Sequence, residues 1–197
     1  MRKRLLSLTL FAAIGLSIAY AEQPASPEYT RANKLFSQSR YSEALSLYQR
    51  LSSTHISNVP SGTLSLRIGD CFFQLGKYQN AIDAYRSALK NQNRAEQAPT
   101  QYWIGFSTFL LGNDAEAAAE FLKIPELYPE SGMWVSTAYY WAGRVCERMG
   151  KKEQAAAYYH KAGGKGTSLQ ERFALKKAET IKKGQVARVR ELLYPGP

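Results

Sequence analysis

Small residues return along this chain at a nearly fixed interval. Ala32, Gly69, Gly105 and Gly143 lie 37, 36 and 38 residues apart, each inside an apolar pattern of helical spacing. A period of this size is the signature of a solenoid, in which each unit buries its apolar face against its neighbours. The clearest unit is TLSLRIGDCFFQLGKYQNAIDAYRSALK, residues 63–90. Ile68, Gly69, Phe72 and Phe73 share one face of its first half, and Tyr78, Ala81, Ile82, Tyr85, Ala88 and Leu89 share one face of its second. A Leu75-Gly76-Lys77 turn joins them. Gly69 and Ala81 have almost no side chain, so the two helices are expected to approach closely there while Phe72 and Tyr85 fill the space beside them.

The same reading extends over most of the chain and predicts an all-α solenoid of about four hairpins, near 26–53, 63–90, 99–129 and 133–162. Ser26-Pro27-Glu28 is a helix start, with a capping serine, a proline in the first turn and an acid near the positive helix end. The third hairpin repeats the second: Ile104-Gly105 for Ile68-Gly69, Gly112 for Gly76, Ala117 for Ala81 and Phe121 for Tyr85. Pro125 removes a donor for the Phe121 carbonyl, so a kink or fraying is expected there. In the fourth hairpin Gly150, Ala155 and Tyr159 hold the corresponding positions. Beyond the glycine-rich exit at 163–166, Ser168 and Glu171 form a capping box that opens a basic helix to about Lys182, suited to capping the last hairpin. Gln185 to Leu193 is expected to add a short further helix before Tyr194-Pro-Gly-Pro.

Met1-Arg2-Lys3-Arg4, an apolar run from Leu5 to Ile18 and Ala19-Tyr20-Ala21 have the order of a secretory leader, with cleavage expected after Ala21. The alternative is an uncleaved anchor, but Leu5 to Ala21 is shorter than the ~20 apolar residues that a spanning helix needs. Three of the 26 basic residues lie in the leader, leaving 23 against 16 acids. That excess is concentrated late: from Arg148 onward there are 12 Lys and Arg against four Asp and Glu. Cys71 and Cys146 fall on first helices two hairpins apart. Stacked helices stand about 8 to 10 Å apart and a disulfide tolerates ~7 Å between Cα atoms, so two buried free thiols are expected.

The hairpins resemble tetratricopeptide repeats, whose pattern is W-x2-L-G-x2-Y, then A-x3-F, then P, over ~34 residues. Ser65-x2-Ile68-Gly69-x2-Phe72 with Ala81-x3-Tyr85 carries that resemblance, as do Gln101-x2-Ile104-Gly105-x2-Thr108, Ala117-x3-Phe121 and Pro129. Departures are the missing leading tryptophan, Ala32 in place of glycine, and slightly long links. A narrower stretch, LYPESGMWVSTAYYWAGRVCERMGKKEQAAAYY from Leu127 to Tyr159, is similar to exported bacterial repeat proteins of the Tol-Pal cell-division or outer-membrane assembly kind. That similarity implies an envelope scaffold.

The repeat resemblance further implies that the first helices line a concave surface that contacts a partner. Tyr102, Phe106 and Phe109 share one helical face there, flanked by Trp103. Tyr29, Asn33 and Phe36, then Leu66, Asp70 and Phe73, then Tyr140, Arg144 and Glu147 hold the equivalent positions. Such an aromatic groove suits an extended peptide or a partner helix, while the same rings also suit packing between repeats. Arg172, Lys176 and Lys183 form a second candidate surface, a basic patch near Glu179. In an exported protein it would meet anionic lipid or cell-wall groups sooner than nucleic acid, and a simply solvated face is the alternative.

Catalytic patterns are weak. His55 and His160 have no partner at metal-ligand spacing, the Gly163-Gly164-Lys165-Gly166 run lacks the Ser or Thr of a phosphate loop after its lysine, and Gly105-Phe106-Ser107 lacks the second glycine of a nucleophile elbow. The expectation is a non-catalytic envelope adaptor without metal or other cofactor, binding a protein or peptide. The alternative is a subunit that associates with itself.

Overall fold

In a computed structural model of the chain, residues 26–54 and 58–193 are described, with the side chains at 187 and 189–193 excepted. The expected leader and its cut after Ala21, His55 and the final Tyr194-Pro-Gly-Pro lie outside the described residues. The described residues form nine helices: α1 (Pro27–Ser37), α2 (Tyr41–Thr54), α3 (Ser61–Gln74), α4 (Tyr78–Asn91), α5 (Arg94–Leu110), α6 (Asp114–Leu127), α7 (Gly132–Arg148), α8 (Lys152–Gly163) and α9 (Leu169–Leu193). They pair as four hairpins followed by one long helix. Helices adjacent in sequence carry nearly all the packing, to which α5 against α7 adds a smaller contact. The architecture is thus an all-α solenoid.

Each apolar cluster bridges units. One joins Ala32, Tyr48 and Leu51 of the first hairpin to Leu64 and Cys71 of α3, and another joins Ala81, Ile82 and Tyr85 of the second to Ile104 of α5. The third and fourth hairpins share Phe121, Ile124, Ala142 and Val145, and the last cluster links Tyr159 to Ala178 of α9. No hairpin encloses its own apolar face, so the cap matters: α9 covers what α8 would otherwise expose. Cys71 and Cys146 are buried within this packing as free thiols.

The small-residue positions now have a measurable role. A Cβ on Gly69 would lie 2.5 Å from the Tyr85 ring, one on Gly105 2.8 Å from Phe121, and one on Gly143 2.8 Å from Tyr159. Ala32 fills the same place, fully buried, in the first hairpin. The turns repeat as faithfully. Gly76, Gly112 and Gly150 adopt φ of 70°, 84° and 74°, and Ser39 takes 60° in the first unit. In each case the next residue's N–H returns to the first helix, as Lys77 does to Phe72 at 2.9 Å and Lys151 to Cys146 at 2.8 Å.

Two helices run differently from the sequence pattern. α5 begins at Arg94, five residues before the expected 99, because Asn93 caps it by accepting the Glu96 N–H at 3.3 Å. Pro99 sits inside that helix and forfeits one backbone bond. α9 is continuous to Leu193, so the separate helix expected from Gln185 is its final part. Gly184 interrupts the pattern there without breaking the helix. Its start is as expected: Glu171 N–H donates to Ser168 Oγ at 3.1 Å, and Ser168 N–H donates to the Glu171 carboxylate at 3.2 Å. Likewise Ser26 Oγ caps α1 by accepting the Tyr29 N–H at 3.2 Å. α6 passes through Pro125 and ends two residues later, at Leu127.

One buried polar cluster joins the second hairpin to the third. Glu120, 5 % exposed, accepts from Gln101 at 2.7 Å, Lys123 at 2.8 Å and Arg86 of α4 at 3.3 Å. Burial pushes its carboxyl up, but the hydrogen bonds from Lys123 and Gln101 and the neighbouring cations outweigh this and hold it below the ordinary range. Gln101 therefore occupies the family's tryptophan position with a polar function, positioning α5 through α6.

Two predictions follow from this packing. Gly105→Ala should cost about 1–3 kcal/mol in urea unfolding because the Phe121 ring is fully buried and has to move. By contrast, Gly184→Ala, with nothing within 4 Å, should gain roughly 0.5–1 kcal/mol; equal responses would remove the close-approach argument. Glu120→Gln should cost about 1–3 kcal/mol at neutral pH. Because the folded carboxyl is held low, its contribution is complete above the unfolded value of about 4.3 and is lost as pH falls through the folded value. The difference between wild type and variant should therefore shrink from pH 6 toward pH 3; a constant difference would assign Glu120 a role that does not depend on charge.

Candidate functional site

The first helices α1, α3, α5 and α7, continued by α9, lie side by side, and their exposed edges carry the residues singled out from the sequence. In the first unit Tyr29, Asn33 and Phe36 are half-buried, with Tyr29 5.9 Å from Tyr48 and Phe36 edge-on to Tyr41 at 5.2 Å. In the second, Leu66, Asp70 and Phe73 are half-buried. Phe73 meets Trp103 at 5.1 Å and Phe106 at 5.9 Å, so the ring contacts pass from α3 to α5.

On α5 the stripe is continuous. Tyr102 stacks on Phe106 at 5.9 Å with ring planes 9° apart, and Phe106 stacks on Phe109 at 6.2 Å. From there it enters α7, where Trp141 lies 4.7 Å from Phe106 and 5.5 Å from Phe109, and Trp134 lies 5.4 Å from Tyr102. Tyr140 carries it to Phe173 of α9 at 6.2 Å. Tyr102, Phe106 and Phe109 rest on the buried cluster of the third and fourth hairpins while keeping part of their surface open. Burial pushes the Tyr102 phenol up to about 12, so it stays protonated and neutral at physiological pH.

Why the third unit is aromatic is visible in the layer below. The second helix of every hairpin presses an aromatic ring toward the small residue of the first. Tyr48 donates its hydroxyl to Asn33 at 2.6 Å, Tyr85 donates to Asp70 at 3.1 Å, and Tyr159 donates to Glu147 at 2.7 Å. Phe121 has no hydroxyl to place. The slot that holds Asn33 or Asp70 in the first two units is accordingly Phe106, and an acceptor is replaced by a ring.

Asp70 also accepts from Arg67 at 3.2 Å. Burial drives its carboxyl above the usual range against the pull of Arg67 and the Tyr85 hydrogen bond. Two clefts open over this pair. One of ≈ 460 Å³ runs between Leu66, Arg67 and Asp70 of α3 and Pro99, Thr100 and Trp103 of α5. A second of ≈ 300 Å³ lies between Phe36, Asp70, Phe73 and Trp103. A larger cleft of ≈ 630 Å³ lies elsewhere, between Ala156 and Ala157 of α8 and Leu175 and Ala178 of α9, at the end of the solenoid.

Arg144 and Glu147 are exposed on α7. Glu147 accepts from Lys177 of α9 at 3.0 Å and from Tyr159; burial pushes its carboxyl up, but these two bonds bring it below the ordinary value. Arg172 and Lys176 are exposed, and Lys183 pairs with Glu179 at 2.9 Å, so the proposed basic patch is partly neutralised. Among the described residues no group of three His, Cys, Asp or Glu is placed to hold a metal, and no helix is long and apolar enough to cross a membrane.

The sequence reading missed Arg67, Trp134 and Trp141. Two of them were within its reach: Arg67, Trp103 and Trp141 each stand two residues before the glycine of their unit. Applying the register to Trp103 would have found both.

Family models described as tetratricopeptide repeat match residues 29–99, 100–131 and 136–162. The chain belongs to the tetratricopeptide repeat family. No curated protein matches the sequence. Solved structures similar to this tetratricopeptide repeat protein include the C-terminal part of a TPR repeat-containing protein from Cytophaga hutchinsonii, at 18% identity and TM-score 0.62 over 81% of this chain and 60% of that one. The apo form of RapI matches at 13% identity and TM-score 0.71, over 85% of this chain and 50% of its own. A Rap protein complexed with competence and sporulation factor matches at 15% identity and TM-score 0.54, over 83% and 50%. This tetratricopeptide repeat protein thus spans half to three fifths of those three relatives, and at these identities the likeness is one of fold. Repeats of this family serve as protein-interaction scaffolds.

The third unit's special pairing is testable by a double-mutant cycle. Phe121→Tyr places a hydroxyl in an apolar layer without an acceptor and should cost about 1–3 kcal/mol. Combining it with Phe106→Asp recreates the Tyr85–Asp70 arrangement, so the double variant should lose less than the summed singles by roughly 1 kcal/mol. Strict additivity in chemical unfolding would show that the two positions do not exchange roles.

Proposed function

We propose that the protein is a non-catalytic adaptor of the bacterial cell envelope that holds a peptide segment of another protein along its first-helix face. The observation that carries this reading is the run of rings from the half-buried Phe73 through Trp103, Phe106 and Trp141 to the exposed Phe173, which spans four helices. Rigid rings backed by a packed core supply contact area at low entropic cost, and they are the residue types on which interface energy concentrates. The clefts beside Trp103 would accept side chains of the same segment. The Rap protein solved with competence and sporulation factor supports such a use of the fold. The leader-like residues 1–21 and the similarity of 127–159 to exported repeat proteins support the envelope setting.

A photo-reactive phenylalanine analogue at position 106, installed in cells and followed by mass spectrometry of osmotically released material, tests the reading. Capture of one other protein is expected, with none from a control position at Lys90 on α4. Capture of the protein itself would favour the self-associating subunit instead. A position 106 that captures no more than the control would mean that the stripe serves packing alone.

A further inference from the structure

We propose that the part of this face formed by α5 and α7 selects peptide segments in which a large apolar side chain lies within about three residues of a carboxylate, and that Arg144 reads the acid. This inference rests on the adaptor reading above and names the chemistry of its ligand.

The argument starts from the slot that follows the small residue in each first helix, occupied in order by Asn33, Asp70, Phe106 and Arg144. In the first two units the slot is an acceptor used internally by the tyrosine hydroxyl of the second helix. In the third it is a ring. In the fourth it is a guanidinium, and Tyr159, finding no acceptor there, donates one helical turn further on to Glu147. Glu147 is at the same time bound by Lys177 at 3.0 Å. The nearest acid on the helix is therefore already engaged.

Three other cations on this face are matched: Arg67 with Asp70, Arg148 with Asp114 and Lys177 with Glu147. Among the described residues Arg144 has no carboxylate within ion-pair distance and is exposed. Its Cζ lies 5.7 Å from the Trp141 ring centre, within cation–π range. An aromatic contact holds a guanidinium through its face while the N–H edge stays available to a carboxylate. The same indole touches Phe106 at 4.7 Å, so one ring joins the apolar anchor to the guanidinium. Those two distances bound the separation of anchor and charge to about 10 Å. An extended chain advances ~3.3 Å per residue, which gives the spacing of about three.

The test is a selection from a random dodecapeptide library displayed on phage, with the immobilised protein as bait, followed by affinity measurements on the enriched peptide. Enriched sequences should carry Asp or Glu within three residues of a large apolar residue. Arg144→Gln should lose the acid preference while keeping the apolar one, Arg144→Lys should retain part of it, and an enriched peptide should bind Arg144→Gln about 10- to 100-fold more weakly. An unchanged thermal midpoint and helical circular dichroism would show that the exposed substitution leaves the fold intact. Apolar enrichment without an acid, or an acid preference that survives Arg144→Gln, overturns this inference and leaves the adaptor reading standing. No enrichment over the bare support overturns both.

Discussion

The structure depends on one contact made in every hairpin: an aromatic ring of the second helix laid over a residue with little or no side chain on the first. At Gly69, Gly105 and Gly143 there is no room for even a methyl group between the helices. Close packing of that kind sets the separation of the two helices within each unit, and the repetition of the unit then sets how successive hairpins meet. The turn glycines with positive φ complete the geometry by returning the chain at the same angle each time. Because the clusters bridge hairpins, stability is a property of neighbours. The long α9 belongs to the fold for that reason.

The aromatic face is a by-product of how the ring's far edge is satisfied. A tyrosine over the glycine brings a hydroxyl that demands an acceptor from the first helix, and Asn33, Asp70 and Glu147 answer that demand. A phenylalanine makes no such demand. At Phe121 the first helix is released from supplying an acceptor, and Phe106 stands where one would otherwise be needed. The local exchange of one polar pair for one apolar pair changes the surface from hydrogen-bonding to aromatic just where the contact between α5 and α7 gathers Trp134 and Trp141.

Polar chemistry is confined to seams. Glu120 is buried but tied by Gln101, Lys123 and Arg86, so its charge helps to align α4, α5 and α6 instead of opposing the fold. Asp70 sits at the floor of two clefts, where burial and Arg67 pull its carboxyl in opposite directions. These groups place α5 firmly beneath the rings that it presents.

The sequence by itself determined the class of the fold, the hairpin count, the caps at Ser26 and Ser168, and which residues share the first-helix face. All of these follow from local spacing and backbone chemistry, which periodicity reports directly. It did not set the start of α5, because the cap at Asn93 outweighs one bond lost at Pro99, nor the continuity of α9 through Gly184. Only the tertiary structure decided that Trp134 and Trp141 extend the aromatic stripe, that Asn33 and Asp70 are occupied by tyrosine hydroxyls, and that Arg148 and Lys177 form ion pairs while Arg144 stacks near an indole. Except for that last contact, those outcomes turn on contacts between residues 15 to 40 positions apart, and a repeat pattern states where such residues recur without stating which of them meet.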